Sequence, residues 1–136
     1  MISRDLPEVL GIEAAAEEPQ HRLPWDEADL RRTMNVRYVI GMVAEVGAHV
    51  TGYMLYELHE DHLTVVKLCG GESLIALIAK LKEKVTNSVK RTYLEFDVHE
   101  EDLCMQIILR NSGWVCKYTL TNEDGCFYHF VWMKGW

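Results

Sequence analysis

Cys69 ends one apolar, β-branched segment, Leu63–Cys69, and His99 follows another, Thr92–Val98. A thiol and an imidazole at the carboxyl ends of two parallel strands can work as nucleophile and base. Nothing in the surrounding sequence orients the His99 ring, however, and a small thiol in an apolar run packs as a core side chain. Packing is the better account of Cys69. The acids Glu95, Asp97, Glu100, Glu101 and Asp102 crowd the same region. Alternation puts Glu95 and Asp97 on one face of their strand, opposite Leu94, Phe96 and Val98. A carboxyl group partly buried near the end of an internal strand can serve as a general base. Asp97 is the residue this singles out, while the three acids after it read as caps for the next helix. The run His59-Glu60-Asp61-His62 has the residue types of a metal site. Its histidines flank a hairpin turn, where alternation sends neighbours to opposite faces, and no third ligand joins them. They read as solvated turn residues, and no metal is expected.

The glycines at 70 and 71 join the first of these strands to a helix. Leu74, Leu77, Ile78, Leu81 and Val85 recur at helical spacing, with Lys80, Lys82, Glu83 and Lys84 mostly elsewhere. A strand, a glycine turn and a helix N-terminus together can hold a phosphate, because unpaired helix N–H groups point outward there. Gly70-Gly71 offers few such donors, and Glu72 places a carboxylate where a phosphate would sit. The junction sets the fold without establishing a ligand.

These residues must be positioned by the elements around them. A chain of 136 residues is expected to form one domain with a core that needs no disulfide or metal. With 14 Lys+Arg against 21 Asp+Glu the net charge is −7, and no basic stripe is present to neutralise phosphates. Nucleic acid is thereby excluded as an expected partner, and a basic peptide or an amine suits the surface better. The four cysteines form no C-x-x-C, as expected of reduced thiols in the cytoplasm. Neither a signal peptide nor a membrane span is expected. Asp5-Leu6-Pro7-Glu8 starts one helix and Asp26–Met34 forms a second. Tyr38–Glu45, His49–Leu58 and Leu63–Cys69 alternate as a three-strand meander. The helix Ser73–Val85 then lets Thr92–Val98 lie parallel to Leu63–Cys69. A helix over Leu103–Asn111 ends at Gly113, and Trp114–Leu120 and Phe127–Trp132 close a hairpin around Thr121–Gly125. The order is ααβββαβαββ, an α/β domain on a mixed central sheet with helices on both faces.

With this order in hand, several stretches resemble the GNAT superfamily of acetyltransferases, and within it the ribosomal-protein-alanine N-acetyltransferases. Arg4-Asp5-Leu6-Pro7-Glu8-Val9-Leu10 with Ile12-Glu13 is similar to that family's first helix, and Leu23-Pro24-Trp25 to the Pro-Trp before its second. Met42-Val43-Ala44-Glu45 and Val50-Thr51-Gly52-Tyr53-Met54 resemble its second and third strands. The segment from Asp102 to Trp114, with Leu109 and Gly113, sits in register with the family's Asn-x-x-Ala-x-x-Leu-Tyr-x-x-x-Gly-Phe. The resemblance spans nearly the whole length.

It implies an acetyl-CoA cleft where the family's fourth and fifth strands splay apart, here Leu63–Cys69 and Thr92–Val98. Pantetheine would run past Leu68 and Cys69, the pyrophosphate would rest on Gly70 and Gly71, and Asp102 would replace the family's Asn at the donor site. Asp97 would be the base, for a peptide, protein or other primary amine as acceptor. Two departures stand against full activity. The pyrophosphate loop is shortened and lacks its basic residue, and Leu109, which has no proton to donate, stands at the position of the family's tyrosine acid. Donor binding is therefore expected to be weak or absent and transfer very slow. The alternatives are a GNAT-fold protein that binds a partner through the open cleft or the aromatic-rich tail Phe127–Trp136, and an unrelated small-molecule binding module using the same cleft.

Overall fold

The computed structural model describes residues 38–136, together with Pro7, Glu27, Ala28 and Arg32 before them. Apart from those four positions, the two N-terminal helices expected from the sequence lie outside the described residues. From Val39 on, period-2 alternation gives β1 (Val39–Val46), β2 (His49–Leu58) and β3 (His62–Cys69), an antiparallel meander. A two-residue turn, Gly47-Ala48, joins β1 to β2, and Gly47 supplies its positive φ of 64°. Between Leu55 and Tyr56 the β2–β3 register shifts, so Val66 is an extra residue on β3. The shift has a consequence for facing. Val65 opposes Tyr56 on one side of the sheet, while Lys67 and Cys69 oppose Leu55 and Tyr53 on the other.

Helix α1 (Ser73–Thr86) follows and buries Leu74, Leu77, Ile78, Leu81 and Val85, the stripe expected from its spacing. It delivers the chain to β4 (Tyr93–His99), which pairs parallel with β3 from His62↔Tyr93 to Val65↔Phe96. Helix α2 (Leu103–Asn111) starts at Asp102, whose carboxylate accepts the Met105 N–H at 3.1 Å, and stops at Gly113 with φ 87°. The last hairpin is tighter than expected: β5 (Val115–Asn122) and β6 (Gly125–Met133) turn through Glu123 and Asp124 alone. Strand β6 lies between β4 and β5, giving the six-strand order β1-β2-β3-β4-β6-β5.

Both described helices send their buried apolar residues into one cluster with Met54, Tyr56, Leu63, Val65, Leu94, Phe96, Val98, Phe130 and Trp132. These strand residues share one sheet face. The other face carries Tyr53, Leu55, Lys67 and Val131, also buried, beside a polar strip that runs from His62 to Asp97.

Candidate active site

Where β3 and β4 separate, the sheet opens. Their pairing ends at Val65↔Phe96, after which β3 stays with β2 as far as Tyr53↔Cys69 and β4 stays with β6 as far as His99↔Phe127. Among the described residues, no strand pairs with the β4-side edge of Val66–Cys69 past Val65↔Phe96. Leu68 turns into the helix-side cluster and Cys69 lies opposite Tyr53, both buried. The four cysteines are free thiols.

At the top of this wedge Gly70 (φ 130°) rests directly on the backbone of Gly52, and Gly71 (φ 42°) completes the turn into α1. The turn is drawn tight by its own hydrogen bonds. Ser73 N–H donates to Gly70 O at 2.9 Å and Leu74 N–H to Gly71 O at 3.2 Å, while the Ser73 and Thr51 hydroxyls bond each other at 2.7 Å. That leaves the amides of Gly71 and Glu72 without a partner among the described residues. Glu72, the N-cap, makes no side-chain cap bond and brings a negative charge to the helix's positive end. For an acetyl-CoA donor, the wedge where β3 and β4 part is where a pantetheine arm would lie. The Gly70–Gly71 turn does not fit the pyrophosphate, which needs several converging amides. Asp102, expected beside the donor, is occupied as the α2 cap.

Asp97 lies on β4 just past the parting point, its side chain 48% exposed. Directly across the antiparallel ladder stands His129 of β6, with Nδ1 2.6 Å from Asp97 Oδ1. An ionised carboxylate only accepts, so Nδ1 carries the proton. The other ring nitrogen, Nε2, lies 3.4 Å from Glu95 Oε2, and Tyr118 stacks on the ring at 4.4 Å. Glu95 is held in turn: Thr64 donates its hydroxyl to Oε1 at 2.7 Å, and His62 Nε2 lies 3.2 Å from the same oxygen. His62 Nδ1 meets Asp61 at 2.6 Å. The result is a continuous run, Asp61–His62–Glu95–His129–Asp97, across three strands.

His62 corrects the solvated-turn expectation. Its ring is half-buried and stacks on His59 at 4.5 Å and on Tyr93 at 4.6 Å. The three-residue link between β2 and β3 releases the pair from strict alternation, so both rings come to one side. The His62 hydrogen bond holds the Asp61 carboxyl below its ordinary range. That contribution to stability is present above the ordinary carboxylate pKa and is lost as pH falls through the lowered one. Burial pushes the Tyr93 hydroxyl up, with the charges of Asp61 and Glu95 adding to it. No three metal-binding side chains converge among the described residues.

Pairing of Cys69 with His99 is not what engages the imidazole. Both His99 ring nitrogens are engaged: Nδ1 accepts from Glu101 N–H and Nε2 donates to Asp124 O, each at 3.1 Å. That histidine ties the last hairpin to the start of α2 and is no base for the thiol. Leu109 is fully buried, at 0% exposure, in the helix-side cluster. Replacing Leu109 by Tyr therefore puts a hydroxyl and extra ring volume into a packed core. A loss of about 2–4 kcal/mol by chemical denaturation is expected, with no gain in acetyl transfer. An accelerated, undestabilised variant would show that this position reaches the cleft.

Sequence reading missed His129. The signal it carried was its alternation with Phe127 and Val131, which names a face and not a partner.

No protein-family model matches the sequence, and no curated protein matches it. Solved structures do. The ribosomal-protein-S18-alanine N-acetyltransferase from Escherichia coli superposes with a TM-score of 0.75 at 14% identity, covering 100% of this chain and 92% of that one. Ard1 from Thermoplasma volcanium gives 0.78 at 14%, over 98% and 93%. The aminoglycoside acetyltransferase AAC(6')-Ib, in complex with ribostamycin and coenzyme A, gives 0.76 at 17%, over 98% and 90%. At these identities, what is shared is the fold.

Proposed function

We propose, from the GNAT acetyltransferase fold that the chain carries, that it transfers an acetyl group slowly from acetyl-CoA to a primary amine. The observation that carries this reading is the wedge past Val65 and Phe96, with Asp97 at its mouth. Acetyl-CoA supplies the activated acyl group. The chain's part is to hold its pantetheine arm in the wedge beside Leu68 and Cys69, and to take a proton from the acceptor nitrogen at Asp97. An amine on a peptide or protein suits the acidic chain, of net charge −7. The whole chain, residues 1–136, forms the catalytic domain, working in the cytoplasm with its thiols reduced. Among the described residues no helix is long and apolar enough to cross a membrane.

Donor binding is the first test. Because Ser73 and Leu74 spend their amides inside the turn, isothermal titration with acetyl-CoA is expected to give a dissociation constant of about 100 µM or weaker, about 5.5 kcal/mol of binding. A value in the low micromolar range would mean that the pyrophosphate has a cradle elsewhere.

A second reading, a non-catalytic GNAT-fold binding protein, is favoured by the same turn together with the burial of Leu109. Acetylation of a peptide N-terminus or lysine by the purified chain, followed by mass spectrometry, separates the two. Product formed in proportion to protein concentration supports the transferase.

A further inference from the structure

We propose that His129 is a positioning residue for the transfer step, acting through Asp97; the inference rests on the transferase reading above. During transfer the amine nitrogen forms the new C–N bond, and the C–S bond of the thioester breaks with its electron pair on sulfur. The proton lost by nitrogen goes to Asp97. A half-exposed carboxylate on its own rotates about its terminal torsion and presents either oxygen in many directions. Here one oxygen is fixed. His129 Nδ1–H holds Oδ1 at 2.6 Å, which leaves Oδ2 as the oxygen free to take the proton.

The clamp is itself rigid. The His129 side chain is 11% exposed, lies between the carboxylates of Asp97 and Glu95, and is stacked on Tyr118 of β5. Glu95 is prevented from turning away by Thr64 and His62 of β3. Each support comes from a neighbouring strand of one sheet, so Asp97 Oδ2 inherits the precision of the ladder. Groups held on strands through a second layer of hydrogen bonds are the ones that keep productive geometry.

Two substitutions separate positioning from mere packing. In His129→Asn the amide nitrogen stands where Nδ1 stood and still donates to Asp97. In His129→Phe the ring and its stacking on Tyr118 remain, but the donor is gone. With the full chain, acetyl-CoA and a peptide amine, His129→Phe is expected to lower kcat about 10- to 30-fold with the amine KM unchanged. His129→Asn is expected to restore kcat to within about 3-fold of wild type. Proton NMR without any donor gives an independent reading. A far-downfield imidazole N–H resonance is expected in wild type and should vanish in Asp97→Ala and in His129→Phe.

Equal kcat in wild type and His129→Phe overturns the proposal, as does a His129→Asn protein no faster than His129→Phe. A downfield resonance that survives Asp97→Ala also overturns it. A wild-type chain that shows the resonance yet acetylates nothing removes the transferase reading, and the positioning role falls with it. The Asp97–His129 bond would then stand as structure alone.

Discussion

Acetyl transfer by the Asp97→Asn protein is expected to fall about 100-fold below the slow rate of the wild type, about 2.7 kcal/mol in barrier height. The substitution isolates the proton-accepting step. Asparagine keeps the size of the side chain and a carbonyl oxygen, so it still accepts from His129 Nδ1–H, the contact that measures 2.6 Å in the wild type. What it loses is the charge and proton affinity of the second oxygen. General base assistance is worth 10²–10⁴-fold, and the low end applies because a free amine attacks a thioester tolerably well once deprotonated. Stability should change by less than about 1 kcal/mol, since the side chain is half-exposed. The rate is best followed in single turnovers at the highest attainable acetyl-CoA concentration, where weak donor binding contributes equally to both proteins. An Asp97→Asn chain as fast as wild type would remove Asp97 from the chemistry.

Gly70→Ala is expected to cost about 3–5 kcal/mol of folding stability and to lower the melting temperature by more than about 10 °C. Two independent effects add. The φ of 130° lies in a region that residues with a side chain rarely adopt. A methyl group at this position would also collide with Gly52 Cα and sit 2.7 Å from Thr51 O. Both obstacles are backbone atoms, so no side chain can swing aside. Relief requires moving β2 away from the turn, which would break the Thr51–Ser73 hydroxyl pair and the seating of α1. Gly71→Ala serves as the control: its φ of 42° is also positive, but a methyl group there meets nothing within 4 Å. It should cost about 1 kcal/mol. Equal melting temperatures for the two alanine variants would show that the close approach to Gly52 is not what restricts this turn.

The sequence by itself determined the elements. Apolar residues at spacings of two and of three to four specify which segments extend and which coil, and each segment carries that information in its own side chains. Thus α1 buries the expected stripe, Leu74 to Val85, and β3 and β4 lie parallel because a helix separates them. The face of β4 that carries Asp97 was legible in the same way, from alternation on one strand. Its environment was not. His129 stands 32 residues away and reaches Asp97 only because β6 inserts between β4 and β5. That choice of neighbours depends on how the finished sheet buries Phe130 and Trp132. Leu109 was matched by register to a tyrosine position, and that its side chain is fully buried is decided by how α2 packs. His59 and His62 were assigned to opposite faces by alternation, which holds within a strand and lapses in the link between strands. Gly70 was readable as a turn; its contact with Gly52, eighteen residues earlier, was not. Periodicity is local and survives in the sequence. Register, strand order and close backbone approach are properties of packing between segments, and only the tertiary structure decides them.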